Sequence, residues 1–366
     1  MIRLEKTRFQ MMGLWWAQIR AVIRLEMKKT FFARRGLWVY LLALAPVLIW
    51  TGHAVGTIMT RDRRLEIAAE HPLSKEALES IHQGMTLDAV QAKLGDPYAR
   101  RIMRRRQHSR EWLSYTDGDA NYTFTFLDEE LNGISKSQTY KCTISQDSLI
   151  YATVFQFFYL RLAIFFGCVG VFMNLFRGEM IDKSLHFYLL APLRREVLVI
   201  GKYLAGLTAT VVIFTASTAL QLWVMWLHFD RAAIDPYLRG TGWHQAAAYL
   251  GVTALACLGY GSVFLAAGLL FRNPIIPAAT VLLWESANLF LPAALKKISV
   301  IFYLQSLCPV VAPPDQDISG ALALLVSSAE PTPPLLAIGG LVALTVVVLV
   351  AASIQARKLE INYGTD

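Results

Sequence analysis

The sequence predicts an all-α polytopic membrane protein with six transmembrane helices and a small α+β domain inserted between helices 1 and 2. The first observation is composition, because 55% of the 366 residues are hydrophobic and only 17% are charged. The second is a set of six apolar runs near the ~20 residues that a helix needs to cross a bilayer. The third is one long polar stretch between the first two runs. Together they exclude an ordinary soluble domain.

The six runs alternate with polar segments of very different length. They cover residues 37–58, 150–175, 203–228, 245–271, 274–291 and 334–356. The fifth run is short and is flanked by Pro274 and Pro292, so its limits are the least defined. Residues 292–333 contain short apolar segments broken by proline, which we expect to re-enter the membrane or lie along its surface.

Basic residues predict the orientation of these helices. They are dense before the first run, between runs two and three, and in the tail 357–366, whereas the opposite short loops hold few. Short loops rich in Lys and Arg stay in the cytoplasm. Both termini are therefore expected in the cytoplasm and residues 59–149 outside it. This asymmetry accounts for most of the net charge of +8 without a nucleic-acid partner.

Residues 1–36 precede the first run and are basic and amphipathic, without the compact apolar core of a signal peptide. Apolar residues including Trp15 and Trp16 recur at helical spacing, and Arg20, Arg24 and Lys28 follow one another four positions apart. This pattern favours a helix lying on membrane lipid at the cytosolic interface. A cytosolic helix packed on another protein is the alternative.

Residues 176–202, between runs two and three, are too long and too charged for a simple reversal of the chain. Their Gly-Glu, Asp-Lys, Pro-x-Arg-Arg and Gly201-Lys202 pairs resemble the cytosolic coupling segment of ABC type-2 permeases, the membrane halves of ATP-driven exporters. By this resemblance, the residues that contact an ATPase subunit are Arg177, Gly178, Glu179, Asp182, Lys183, Pro192, Arg194 and Arg195.

The resemblance implies a permease subunit of the bacterial inner membrane. Two ATP-binding subunits would carry ATP and Mg²⁺, this chain would bind no cofactor, and a second copy or a paralogue would complete the path. The sequence has no G-x-x-x-x-G-K-[ST] phosphate loop and no H-E-x-x-H motif, so we expect no enzyme activity of its own. We also expect Glu179→Arg to leave membrane insertion intact while uncoupling ATP hydrolysis.

The polar insert is long enough to fold as a small domain. Ser74 is a candidate helix cap, the Thr86 hydroxyl is another, and Gly95 ends the second predicted helix. After the basic run 104–106 the period changes to two, and Trp112, Ser114, Tyr122, Phe124 and Phe126 are typical of strands, with turns at Asp117-Gly118 and at residues 128–131. The basic run 104–106 is interpreted as a solvated loop rather than a site for acidic lipid or polysaccharide.

The spacing of Gly84-Met85-Thr86 and Leu94-Gly95-Asp96-Pro97 resembles the SmpA/OmlA small lipoprotein domain. This implies two helices against a short antiparallel sheet, acting as an interaction module that docks an envelope protein through residues 60–149. Such an interaction module also suggests an alternative function for the whole chain. The chain would then be a non-transporting scaffold or receptor that works through its outer domain.

Two ionisable residues interrupt apolar runs, Arg161 in the second and Glu285 in the fifth. Charges at this depth are costly and are functional candidates by default. Each is interpreted either as part of a substrate path or as half of a packing lock between helices. Cys142 and Cys308 both fall on the predicted outer side, where a disulfide is permitted, and two free thiols are the favoured interpretation.

Overall fold

The computed structural model describes residues 13, 15–27, 36–105, 108–138, 143–181, 190, 194–271, 273, 275–310 and 332–357. Contacts divide the chain into two compact units. The first combines Met1–Thr51 with Ile144–Asp366, and the second is Gly52–Thr143. The polar insert therefore lies largely within a compact unit of its own, which begins and ends a few residues before the predicted bounds 59–149.

Five helices in the described residues are long and apolar enough to cross a membrane, so the protein is a multi-pass membrane protein. They are Leu37–Glu70, Ile144–Met180, Arg195–Leu227, Arg231–Leu270 and Pro334–Arg357. Four extend beyond their apolar runs by a turn or more. The segment 176–202 is consequently helical at both ends, and residues 182–194 lie between the helix that ends at Ile181 and the helix that begins at Arg195.

The fifth predicted span, 274–291, is shorter than the sequence suggests. Residues Ile275–Ala287 form a helix of 13 residues, followed by a 3₁₀ turn at Asn288–Phe290. At 1.5 Å per residue this helix is roughly 20 Å long, whereas the hydrocarbon core is about 30 Å thick. The coarser prediction of a multi-pass helical protein is confirmed, and the count of six spans is not.

We number the helices in chain order. The first unit contains α1 (15–27), α2 (Leu37–Glu70, whose end belongs to the second unit), α5 (Ile144–Thr153), α6 (Phe165–Ile181), α7 (Arg195–Leu227), α8 (Arg231–Tyr237), α9 (Trp243–Leu270), α10 (Ile275–Ala287), α11 (Ala293–Lys296), α12 (Val300–Leu307) and α13 (Pro334–Arg357). Two π-helical segments, Val154–Ile164 and Leu238–Gly242, join α5 to α6 and α8 to α9.

Helix α9 lies at the centre of this bundle, where it packs against α6, α7 and α13. Close packing of small residues is the usual way in which membrane helices associate. Helix α12 is largely buried and packs on α9 and α13. It belongs to residues 292–333, the region that we expect to re-enter the membrane or lie along its surface. The remainder of that region, residues 311–331, lies outside the described residues.

The second unit is a small α+β domain with a four-stranded antiparallel meander. Its elements after α2 are α3 (Lys75–Glu79), α4 (Leu87–Leu94), β1 (Ala99–Arg105), β2 (His108–Thr116), β3 (Ala120–Leu127) and β4 (Glu130–Gln138), in the sheet order β1-β2-β3-β4. Residues from both short helices and from three of the strands form one hydrophobic core, which includes Val90, Leu113, Phe124 and Phe126. The predicted arrangement of two helices and an antiparallel sheet is confirmed.

Local capping follows the sequence at two of three positions. Ser74 caps α3 by accepting a hydrogen bond from the Ala77 N–H, and Gly95 ends α4 with φ of 77°, which favours glycine. Thr86 occupies the N-cap of α4, but its hydroxyl makes no capping hydrogen bond. Instead its backbone pairs with Glu130 beside the sheet. The predicted cap at Thr86 is therefore wrong.

The predicted turns are present, and the first is held by a carboxylate. Burial alone would raise the pKa of Asp117, but hydrogen bonds from the Ala120 and Asp119 N–H groups and the Tyr122 hydroxyl outweigh it and lower the pKa. Arg104 belongs to strand β1 and is exposed, so the loop interpretation of the basic run fails at this residue. Arg106 lies outside the described residues.

Candidate functional site

A buried ion cluster lies at the end of the bundle where segment 176–202 begins and ends. Lys202, in the second turn of α7, is completely buried. Its Nζ donates hydrogen bonds to Glu26 Oε1 at 2.7 Å and to the Leu175 carbonyl at 2.8 Å, and it forms an ion pair with Glu179 Oε2 at 2.8 Å. We call Glu26, Glu179 and Lys202 the Lys202 cluster.

Three helices contribute to the Lys202 cluster. Helix α1 supplies Glu26, α6 supplies Glu179 near its C-terminal end, and α7 supplies Lys202. The ring of Phe176, one turn before Glu179, lies 5.3 Å from the ammonium. A lysine ammonium has three donors, and three oxygens lie within hydrogen-bond distance of this one. A charge buried at such a depth requires partners of this kind.

Gly201 explains how α1 approaches α7 closely enough for the ion pair. A Cβ at this position would lie 2.9 Å from the Cβ of Val22, so only glycine leaves room for α1. Val22 and Glu26 are four residues apart and share one face of α1. The two residues therefore act together. Gly201 lets α1 pack closely on α7, and Lys202 forms an ion pair with Glu26 of α1.

Arg194 and Arg195, predicted for their charge, contact two further elements. The Arg194 guanidinium lies 5.1 Å from the ring centroid of Trp15 in α1. Arg195 donates a hydrogen bond of 2.6 Å to the backbone carbonyl of Arg357 at the end of α13. The next residue of α7, Glu196, accepts a 2.6 Å hydrogen bond from the Arg357 side chain. The beginning of α7 is thus fixed to α1 on one side and to α13 on the other.

The remaining predicted contact residues are placed as follows. Arg177 and Gly178 lie in the last turns of α6, and open space surrounds the Cβ position of Gly178. Asp182, Lys183 and Pro192 lie outside the described residues. Glu179 is buried, with its carboxylate engaged by Lys202 inside the chain. Its contact with an ATPase subunit stays a prediction.

This geometry also changes the expected result of Glu179→Arg. An arginine there would bring a second cation next to Lys202 in a site with little access to water, so membrane insertion and folding would suffer together with any coupling. Exposed positions of the same segment, such as Arg194, are the better probes. What the cluster itself does is mechanical: it ties α1, the end of α6 and the beginning of α7 together.

Glu285, the first of the two intramembrane candidates, caps a helix. Its carboxylate accepts hydrogen bonds from the Ser299 hydroxyl at 2.7 Å and from the Val300 and Ile301 N–H groups at 3.0 and 2.9 Å. These are the first residues of α12, where a negative charge is stabilised by free N–H groups and by the helix dipole. The described residues thus give Glu285 a structural role in holding α12 against α10.

Arg161 is the second candidate. The structure describes both its side chain and that of Glu285, and no ion pair joins the two. Arg161 lies in the π-helical segment and its guanidinium is 5.5 Å from the ring of Phe157. Its Nε and one terminal nitrogen are buried without a hydrogen-bond partner among the described residues. The predicted packing lock is therefore wrong in this form.

Other buried polar groups of the bundle bind one another. The Tyr159 hydroxyl donates to the Phe214 carbonyl at 2.7 Å, and the Thr218 and Thr253 hydroxyls lie 3.0 Å apart between α7 and α9. At the far end of α7, His228 forms a fully buried pair with Asp147 at 2.8 Å. The contacts of Tyr159, Thr218 and Thr253 replace water for polar groups within the apolar runs.

Sequence reasoning missed Glu26 and gave Lys202 only a boundary role. Glu26 and Lys202 are 176 residues apart in the chain, and no local periodicity relates them. One signal was available, since Glu26 is the acidic residue of a stretch whose neighbouring charges are basic. If such a glutamate is buried, it needs a cation as a partner, and this requirement could have been inferred from the sequence.

Comparison with other proteins gives no independent identification. The chain matches no family model, no curated protein and no solved structure. The functional argument consequently depends on the sequence pattern and on the geometry above.

Proposed function

We propose that this chain is the membrane-spanning permease subunit of an ATP-driven ABC exporter in the bacterial inner membrane. Separate ATP-binding subunits would engage segment 176–202 from the cytosol, with both termini on the same side. A second copy of the chain or a paralogue would complete the path. The short helix α10 and the helices that follow it would close the outer end of that path, with the second unit outside the membrane.

One observation carries the proposal: the Lys202 cluster ties α1 to the end of α6 and to the beginning of α7, the two helices that segment 176–202 joins along the chain. A subunit that pushes on this segment moves the ends of three helices, because the buried ion pairs and the Val22–Gly201 contact prevent them from sliding apart. Coupling requires contacts that differ between two states and a rigid element that transmits the difference. The cluster supplies the rigid element.

The test is purification of the tagged chain in mild detergent, with identification of the proteins that accompany it. We expect a stoichiometric ATP-binding subunit. Arg194→Glu should release it, because Arg194 is exposed beside the segment. Arg231→Glu is the matched control, since it makes the same charge change at an exposed residue that begins α8, on the predicted outer side.

Two results would contradict the proposal. A chain that purifies alone, or with envelope proteins held only by residues 60–149, would favour the scaffold or receptor function. If Arg231→Glu released the ATP-binding subunit and Arg194→Glu did not, the chain would have the opposite orientation in the membrane to the one proposed.

A further inference from the structure

Arg161 presents a positive charge near the middle of a membrane-spanning helix. It lies within the apolar run 150–175, roughly 16 Å from the outer end of that run and roughly 21 Å from the inner end at 1.5 Å per residue. An extended arginine side chain cannot cover that distance to water. The charge is therefore retained at membrane depth, where it is costly unless something pairs with it.

The described residues supply no such partner. Two of the guanidinium nitrogens are buried without an acceptor, and the side chain as a whole is half-buried. Glu285 is within electrostatic range, but its oxygens already accept the three hydrogen bonds at the start of α12. A buried donor without an acceptor is costly, and more so when it is charged.

A second unpartnered donor lies nearby. Tyr260 of α9 is fully buried, its hydroxyl has no hydrogen-bond partner among the described residues, and it is within electrostatic range of Arg161. Its ring packs at 5.3 Å on Phe165, which follows Arg161 by four residues on the same helix. The backbone here is π-helical over Val154–Ile164, a conformation that frequently marks functional sites.

We propose that Arg161, assisted by Tyr260, binds the phosphate or carboxylate head of an anionic amphiphile, and that this is the substrate class of the path. The planar guanidinium matches these anions in shape as well as charge. Phe157 and Leu162 are exposed beside Arg161 and offer apolar contact to a hydrocarbon chain. That the ligand is cargo rests on the proposed function, whereas its binding does not require the ATPase.

A second copy of the chain is a less suitable partner. It would have to bring a free carboxylate to the middle of a span, and Glu285, the acid within the fifth apolar run, is already bonded to α12. An amphiphile brings both the anion and the apolar body that this depth requires.

Binding is measured on the purified chain alone, in dodecyl maltoside, with four probes at equal ionic strength. Dodecyl phosphate and dodecanoate test the anionic head, dodecyltrimethylammonium tests the charge, and inorganic phosphate tests the need for a chain. We expect the two anionic amphiphiles to bind and the other two probes to bind much more weakly. Arg161→Gln should weaken dodecyl phosphate binding about tenfold or more.

Two further variants keep the result interpretable. Arg161→Lys retains the charge without the planar fork and should keep part of the affinity. Arg239→Gln removes an exposed arginine elsewhere and should bind as the unmodified chain does.

Three outcomes would overturn the inference: unchanged binding in Arg161→Gln, inorganic phosphate binding as tightly as dodecyl phosphate, or a dimer that dissociates in Arg161→Gln. The last would assign the guanidinium to a second copy. None of them depends on an ATP-binding subunit, so failure here is distinguishable from failure of the proposed function.

Discussion

Lys202 and Arg161 are both cations in membrane-spanning helices, the first completely buried and the second half-buried, and their surroundings are opposite. Three oxygens from two other helices surround the Lys202 ammonium at 2.7–2.8 Å. The Arg161 guanidinium has buried nitrogens for which the described residues offer no acceptor. A paired buried charge fixes helices to each other, whereas an unpaired one costs stability and is retained for what it can bind. From this difference we infer a structural role for Lys202 and a ligand-binding role for Arg161.

The largest expected effect comes from removing the lysine. Lys202→Ala leaves two carboxylates buried together, and breaking a buried pair in this way costs about 3–5 kcal/mol. Thermal unfolding in detergent should show a large fall in the transition temperature. Lys297→Ala, at an exposed lysine, is the control. Equal transition temperatures for the two variants would show that the cluster does not hold the helices.

Removing a single acid should cost less. Glu26→Gln leaves one lysine facing one carboxylate, a balanced pair, and the glutamine can still accept a hydrogen bond from Lys202. We expect a destabilisation of about 1–2 kcal/mol, below that of Lys202→Ala, in the same unfolding assay. A loss as large as that of Lys202→Ala would mean that both carboxylates are needed.

Glu285 offers an intermediate case, because it is a buried charge satisfied by helix N–H groups instead of a cation. Glu285→Ala should destabilise the chain by about 1–2 kcal/mol, the usual cost of losing an N-cap. Hydrogen exchange should rise selectively at the Val300 and Ile301 amides. Exchange unchanged at these amides would remove the capping role.

In the second unit, the stability of the hairpin at Asp117 should depend modestly on pH. The lowered pKa of Asp117 means that its hydrogen bonds stabilise the hairpin above the ordinary aspartate pKa of about 3.9, and that this contribution is lost as pH falls through the lower folded value. The Trp112 resonance in fluorotryptophan-labelled chain should report loosening below about pH 4. Asp117→Asn should remove that dependence, and an unchanged acid profile would contradict it.

The smallest effect on stability is expected at Arg161. Arg161→Gln removes a charge without breaking an ion pair, so the free energy of unfolding should change by no more than about 0.5 kcal/mol or should rise. The unfolding assay used for Lys202→Ala provides the direct comparison. A destabilisation as large as that of Lys202→Ala would reveal a partner for Arg161 within the chain.

Much of the fold was predictable because it is encoded locally. Apolar runs gave five of the spanning helices, and the alternation around Phe124 and the turn residues Asp117-Gly118 gave the sheet. The span predicted at 274–291 is not confirmed, because the α-helix ends at Ala287 while the apolar composition continues to Leu291.

The candidate site was predictable only in part, because its contacts join distant segments. The charges of Glu179, Arg194 and Arg195 drew attention to the region where these contacts lie, but their partners Lys202, Trp15 and Arg357 come from other helices. Nor could the sequence distinguish the satisfied Glu285 from the unsatisfied Arg161. That distinction depends on where Ser299 and the first N–H groups of α12 lie in space.

The central claim, that segment 176–202 receives an ATP-binding subunit, is tested most directly by photocrosslinking in intact cells. A photoreactive residue at Leu190, which is 80% exposed, should capture an ATP-binding protein, and one at the exposed Arg239 should not. Capture of that protein at 190 alone is the predicted result. No adduct at 190, or adducts with envelope proteins only, would contradict the account.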